Sequence, residues 1–254
     1  MESDKKKEDK PKNPRSIANP LSALTFSWTL PIFWKGYRHD LEVGDLFEPL
    51  KEHKSTYLGD KFEKVWNEEV KKCSRIKKDP SFLKVIIAVF GWEILAYGIL
   101  LFVAEIILRI AQPLFLGGLI DHFTPESKVS KYEAYLYATG IILCSAITVL
   151  SMHPYMMGIM HIGMKVRVAA CSLIYRKALK LSKTALGQTT VGQVVNLLSN
   201  DVNRFDIAFI FLHNLWIGPL QTCIVTYFLW QLIGGPASII GLFSLLIFIP
   251  LQGL

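Results

Sequence analysis

Between Val85 and Ile120 the chain carries charge only at Glu93, Glu105 and Arg109. An apolar run of about 20 residues already crosses a hydrocarbon layer of about 30 Å at 1.5 Å per residue, so this one is long enough to span a bilayer. Three further apolar runs follow, and the four together place spans at about 82–120, 132–162, 207–232 and 237–254. The mean hydropathy of +0.33, with 51% apolar residues, is a value that soluble domains seldom reach. These runs predict an all-α membrane protein, because helices satisfy every backbone polar group within lipid. The IGGPAS segment, residues 233–238, reads as a tight hairpin between the third and fourth spans, since Gly and Pro do not readily continue a helix.

Charge is concentrated elsewhere. Residues 1–80 hold most of it, and the first 20 contain Lys but no apolar core, so no signal peptide is expected there. The segment between the second and third spans carries Lys165, Arg167, Arg176, Lys177, Lys180, Lys183 and Arg204, whereas the third-to-fourth connection is uncharged. The positive-inside rule therefore puts the long connection in the cytosol, and an even number of crossings puts the N-terminus there too. Cys73, Cys144, Cys171 and Cys223 show no CxxC spacing, which argues against a disulfide framework or a zinc site. His153 and His161 lie eight residues apart, a poor spacing for one metal.

The charged connection, about 163–206, keeps a helical pattern. Val191, Val194, Val195, Leu198, Val202 and Phe205 recur at steps of three and four. Thr190 and Gln193 have the form of a capping box at a helix start. An unbroken helix from about Tyr132 to Leu181 would be about 75 Å long, and one from Thr190 to Leu232 about 64 Å, far more than a bilayer needs. The expectation is a pair of helices extending into the cytosol as a stalk, closed by a turn at Leu186–Thr189. Upstream, Trp28, Phe33 and Trp34 suit an interfacial helix. Tyr57, Leu58, Phe62, Val65 and Trp66 are spaced as a further cytosolic helix. The Lys-rich first residues have the composition of a solvated tail.

Several longer segments carry a family likeness. IYRKALKLS, TTVGQVVNLLSNDVNRFD, LHNLWIGPLQ and IPLQ resemble the first transmembrane domain of C-subfamily ABC exporters, the multidrug resistance-associated proteins, in their short form. QPLFLGGLIDHF and GMKVRVAACSLIYRKAL fit the same pattern, and NPLSALTFSWTLPIFWKGYRHDLEVGDLFEPL is similar to the lasso and elbow that precede the first span. That segment starts about 20 residues from Met1, so the extra N-terminal membrane domain of the long members is expected to be missing. The resemblance implies a cytosolic tail and lasso over 1–80, followed over 81–254 by the first part of a type-1 ABC transmembrane domain. It implies ATP-driven outward movement of organic anions and xenobiotic conjugates from a multi-pass protein of the plasma membrane. It also makes Ser182, Lys183, Thr184, Ala185, Leu186, Gly187 and Gln188 a coupling helix that rests on a nucleotide-binding domain. The implied partners are the lipid bilayer, nucleotide-binding domains, further spans and organic anions, with no nucleic acid.

No G-x-x-x-x-G-K loop followed by Ser or Thr occurs, nor an LSGGQ-like signature. Without a loop to cradle phosphates, ATP and Mg2+ are expected in nucleotide-binding domains outside this sequence rather than in it. The last apolar run, Ala237 to Leu254, is short for a complete crossing, so the chain reads as a piece of a longer exporter. Two other readings stay open: a truncated product that does not transport but binds full-length partners, and part of a channel-like relative.

Four residues stand out as cavity candidates. Arg109 either attracts anionic substrate or closes an ion pair with Glu105, four residues earlier, which would lower the cost of charge in lipid. His153 matches a cavity-side His in the resembling transporters, or packs on a neighbouring helix, and Pro154 beside it is expected to kink the span. Phe211 and Trp216 suit the aromatic wall of an apolar cavity, although aromatics in spans also pack on neighbours. Asn200, Asp201, Asn203 and Arg204 are expected to bond to adjacent helices and carry no catalysis.

Overall fold

The computed structural model describes residues 10–125, 128–180 and 191–251. All regular elements among them are helices. Two short helices, α1 (Pro20–Thr25) and α2 (Leu30–Arg38), precede α3 (Ser55–Ile76). Proline in the first turn of α1 and of α2 fits because its missing N–H is not needed there. On α2, Leu30, Phe33, Trp34 and Tyr37 are exposed, with the Arg38 guanidinium 4.9 Å from the Trp34 ring centroid. On α3, Leu58 and Phe62 are buried as their spacing predicts, while Tyr57 is 54% exposed and lies off that face. The helix ends at Lys77, in the left-handed region, shortly before Pro80.

The first apolar run is helical from Phe82 to Asp121: α4 (Phe82–Phe102), a π-helical stretch at Val103–Leu108, and α5 (Arg109–Asp121). The second is α6 (Lys131–Lys180), 50 residues of continuous helix that run through Pro154, where the missing N–H leaves out one hydrogen bond of the ladder. The third departs from the uniform helix expected: α7 (Val191–Asn196), a π-helical stretch at Leu197–Asp201, α8 (Arg204–Leu212) and α9 (Asn214–Ile233). Three of these helical runs, Phe82–Asp121, Lys131–Lys180 and Gly192–Ile233, are long and apolar enough to cross a membrane. The expected hairpin of residues 233–238 contracts to Gly234, at φ 98°, because Pro236 sits in the first turn of α10 (Gly235–Leu251), where proline is tolerated.

The described residues divide into two compact units. One comprises Met1–Trp92 with His161–Asp206, the other Glu93–Met160 with Ile207–Leu254. The first unit is built on Phe62, whose ring lies 5.9 Å from Phe82 and 5.7 Å from Phe90 between centroids, with Val166, Ala169 and Val202 also buried. The second is built on Tyr155, Ile159 and Ile217. Its backbones approach closely at Gly158: a Cβ there would lie 2.1 Å from Cζ of Tyr97, so only glycine fits this arrangement.

Candidate functional site

In the second unit, the π-helical stretch places Glu105 at the start of a turn that delivers Arg109. The guanidinium lies 2.7 Å from the Glu105 carboxylate, an i,i+4 pair, with the Arg109 side chain 59% exposed. The ion-pair reading of Arg109 is therefore realised, and the outer face of the guanidinium stays open to a further anion. One turn on, Gln112 donates to the Ser145 hydroxyl of α6 at 3.3 Å. A π turn widens the helix by one residue per turn and often marks functional positions. Periodicity gave no sign of it.

Trp216 is held on two sides. Its ring stacks on Phe102 at 6.0 Å with an interplanar angle of 13°, and its indole N–H donates to His213 Nδ1 at 3.4 Å. Phe211 is 57% exposed and His153 is exposed as well. Arg109, His153, Phe211 and Trp216 are not hydrogen-bonded, ion-paired or ring-stacked to one another among the described residues. His213 escaped the reading of the pattern. It is 4% exposed, its ring is 6.1 Å from that of Tyr155, and a Cβ at residue 98 would lie 2.8 Å from its Cε1. The signal available was a histidine within an apolar run, opposite a Tyr-Gly pair on another run.

The first unit binds α3 and the N-terminal segment to the C-terminal part of α6 through charge. Arg176 donates to Asp60 at 2.7 Å and to Glu63 at 2.8 Å, and Lys180 reaches the other Glu63 oxygen at 2.8 Å. The Lys180 and Arg176 hydrogen bonds hold the Glu63 carboxyl below its ordinary value. Lys165, 8% exposed, meets Glu52 at 3.5 Å. Arg15 donates to His161 Nδ1 at 2.8 Å, and the His161 and His53 rings lie 5.1 Å apart. His161 is thus a docking residue for the N-terminal segment. Arg167 connects α6 with the following helices, reaching Asn203 Oδ1 and Asp206, both at 3.1 Å. Asn203 therefore bonds to a neighbouring helix as expected, whereas Asn200 bonds to Asn196 of its own strand of helix, one turn away. Ser182, Lys183, Thr184, Ala185, Leu186, Gly187 and Gln188, and Thr190 of the capping box, lie outside the described residues.

Comparison with known proteins accounts for this arrangement of long apolar helices. Residues 95–254 match the family model of the ABC transporter transmembrane region. Over 242 residues the chain is 44% identical to the probable multidrug resistance-associated protein lethal(2)03659 of Drosophila melanogaster, covering 95% of this chain and 17% of that protein. It is 43% identical to ATP-binding cassette sub-family C member 4 of Mus musculus and 41% identical to that of Homo sapiens, each over 94% of this chain and 18% of the relative. The chain thus spans less than a fifth of the length of these relatives. It belongs to the ABC transporter transmembrane-region family, and within it resembles the C-subfamily multidrug resistance-associated proteins.

Proposed function

We propose that this chain forms part of the translocation path of an ATP-driven exporter of organic anions and xenobiotic conjugates in the plasma membrane. Residues 1–80 act as cytosolic tail and lasso, and residues 81–254 as the first part of the transmembrane domain. The N-terminus and the segment Ser182–Gln188 face the cytosol, where that segment serves as the coupling helix that rests on a nucleotide-binding domain. The observation that carries this reading is the family match over 95–254 together with α6, a single helix that leaves its apolar window and ends in the cationic stretch Arg176–Lys180.

The residues divide the work by chemistry. Arg109, already paired to Glu105, offers a cation in an apolar stretch, where attraction for an organic anion is screened less than in water. Trp216, fixed against Phe102, presents an aromatic wall, Phe211 adds a second ring and His153 a polar contact. ATP and Mg2+ belong to nucleotide-binding domains beyond these residues, since the sequence contains no phosphate-cradling loop.

The test is uptake into inside-out vesicles by a full-length transporter carrying this sequence. Accumulation of a radiolabelled glutathione conjugate that requires ATP, and that falls on Leu186→Asp, is the expected result. Passive ion conductance without ATP would assign the sequence to a channel instead. If the 254-residue chain, coexpressed with the transporter, copurifies with it and lowers uptake, its role is partner binding rather than transport.

A further inference from the structure

From Thr222 to Ile233 the chain reads TCIVTYFLWQLI, a pattern that crossing lipid does not require. The pairs Thr222-Cys223, Thr226-Tyr227 and Trp230-Gln231 carry hydroxyl, thiol, indole or amide groups, and the pairs between and after them are pure hydrocarbon. On a helix of 3.6 residues per turn a four-residue repeat drifts by only about 40 degrees per repeat, so each set keeps to its own side of α9. The structure gathers the first set: its residues line one cavity of about 430 Å³, together with Leu242 of α10, and no residue of the hydrocarbon pairs lines it.

The polar groups of this wall have partners only in water. Thr222 Oγ1 donates to the Gly218 carbonyl at 2.9 Å and Thr226 Oγ1 to the Thr222 carbonyl at 2.7 Å, so each hydroxyl has used its proton and turns lone pairs outward. The side chains of Tyr227, Trp230 and Gln231 make no hydrogen bond among the described residues. The wall thus offers acceptors at one end and donors at the other, which lipid tails leave unpaired and water satisfies. On the other side Val225, Leu232 and Ile233 are exposed and present only hydrocarbon. We infer that α9 is two-sided in the assembled transporter: the face of Thr222, Cys223, Thr226 and Trp230 borders a water-filled passage, and the face of Val225 and Leu232 is kept from water. The inference rests on the exporter reading and extends it to the stretch of the path beside the turn at Gly234. No side chain of this wall is charged, so an organic anion crossing it meets neutral donors and rings and is held less firmly than beside Arg109.

Cys223, exposed on the inferred wet face, supplies the probe. A full-length transporter carrying this sequence is treated during ATP turnover with a charged methanethiosulfonate, which reacts with thiolate and therefore needs water at the thiol. Mass spectrometry of the peptide containing residue 223 reads the labelling. Cys223 is expected to react, and Val225→Cys in a Cys223→Ser background to react at least about tenfold more slowly. Equal rates at the two positions overturn the inference. So does an unreactive Cys223, whether lipid-soluble N-ethylmaleimide labels it, which would place it in lipid, or does not, which would place it against another span. ATP-dependent uptake of the glutathione conjugate, measured on each variant, verifies folding and separates the two readings. Uptake with an unreactive Cys223 sinks this inference alone, whereas a reactive Cys223 without uptake removes the exporter reading and leaves the wet face standing.

Discussion

The two units of this chain are held together by opposite chemistry. In the first, the contacts distant in sequence include ion pairs: Glu63 binds Arg176 and Lys180, Glu52 binds Lys165, and Glu69 meets Lys84 at 3.6 Å. In the second, the ion pair Glu105–Arg109 lies within one helix turn, and its distant contacts include close approaches of rings to glycines, Tyr97 to Gly158 and His213 to Gly98, and the Gln112–Ser145 hydrogen bond. The difference follows from the surroundings. Water screens charge and permits many exposed partners, whereas in lipid helix association depends on tight packing of small residues against large ones. A unit of the first kind yields to acid and salt, and one of the second kind to a change of shape.

Four perturbations would break or sharpen that contrast. The largest effect is expected from Gly158→Leu, which forces a side chain into the space of the Tyr97 ring. Overpacking of this kind costs about 1–3 kcal/mol. Thermal unfolding in detergent should fall accordingly and recover in part in the double variant with Tyr97→Ala; an unchanged transition would disprove the close approach. Next, Glu63→Ala removes the shared partner of Arg176 and Lys180. Limited trypsin digestion within Ser55–Ile76 should accelerate while hydrogen exchange over Glu93–Met160 stays as it was.

Acid gives a third, graded effect. Lys180 and Arg176 depress the folded-state Glu63 carboxyl, and Lys35 and Lys54 do the same for Asp45 and Glu48. Their contribution is present above the ordinary carboxylate value of about 4 and is lost as pH falls through the depressed folded values. Trypsin is inactive there, so pepsin accessibility between pH 5 and 2 is the appropriate readout. The first unit should open before the second, and simultaneous opening would erase the contrast. The smallest stability change belongs to Arg109→Gln, about 0.5 kcal/mol or less for an i,i+4 pair. In the assembled transporter its effect should appear as a raised KM for an organic anion, and an unaltered KM would remove Arg109 from the path.

Helices were legible wherever one face had a single environment. The spacing of Leu58 and Phe62 marked α3, and the apolar runs marked the helices from Phe82 to Asp121 and from Lys131 to Lys180. What periodicity does not contain is the pairing of distant faces. Glu63 reads as one more charge on a solvated helix until α6 brings Arg176 and Lys180 against it, more than a hundred residues away in sequence. His161, weighed against His153 for its spacing, takes its partners Arg15 and His53 from the N-terminal segment instead. Nor can a step of three or four residues report a backbone that closes its turns at five, as at Val103–Leu108 and Leu197–Asp201. Of the residues singled out for a cavity, Arg109 has a partner the spacing could show, Glu105 one turn away, whereas the stacking of Trp216 on Phe102 joins two separate helices. The burial of His213 depends on Gly98 and Tyr155, which lie on other helices.

The two π-helical stretches have a consequence for how this sequence can change over generations. In an α-helix, deleting one residue rotates everything downstream by about 100 degrees and turns the apolar face away from its neighbours. A π turn holds one residue more than an α turn, so loss of a single residue from Val103–Leu108 converts that stretch to α-helix and leaves Arg109–Asp121 facing as before. The same holds for Leu197–Asp201 and the helix from Arg204 onward. The chain therefore has two places where a lineage can lose a codon without refolding its spans.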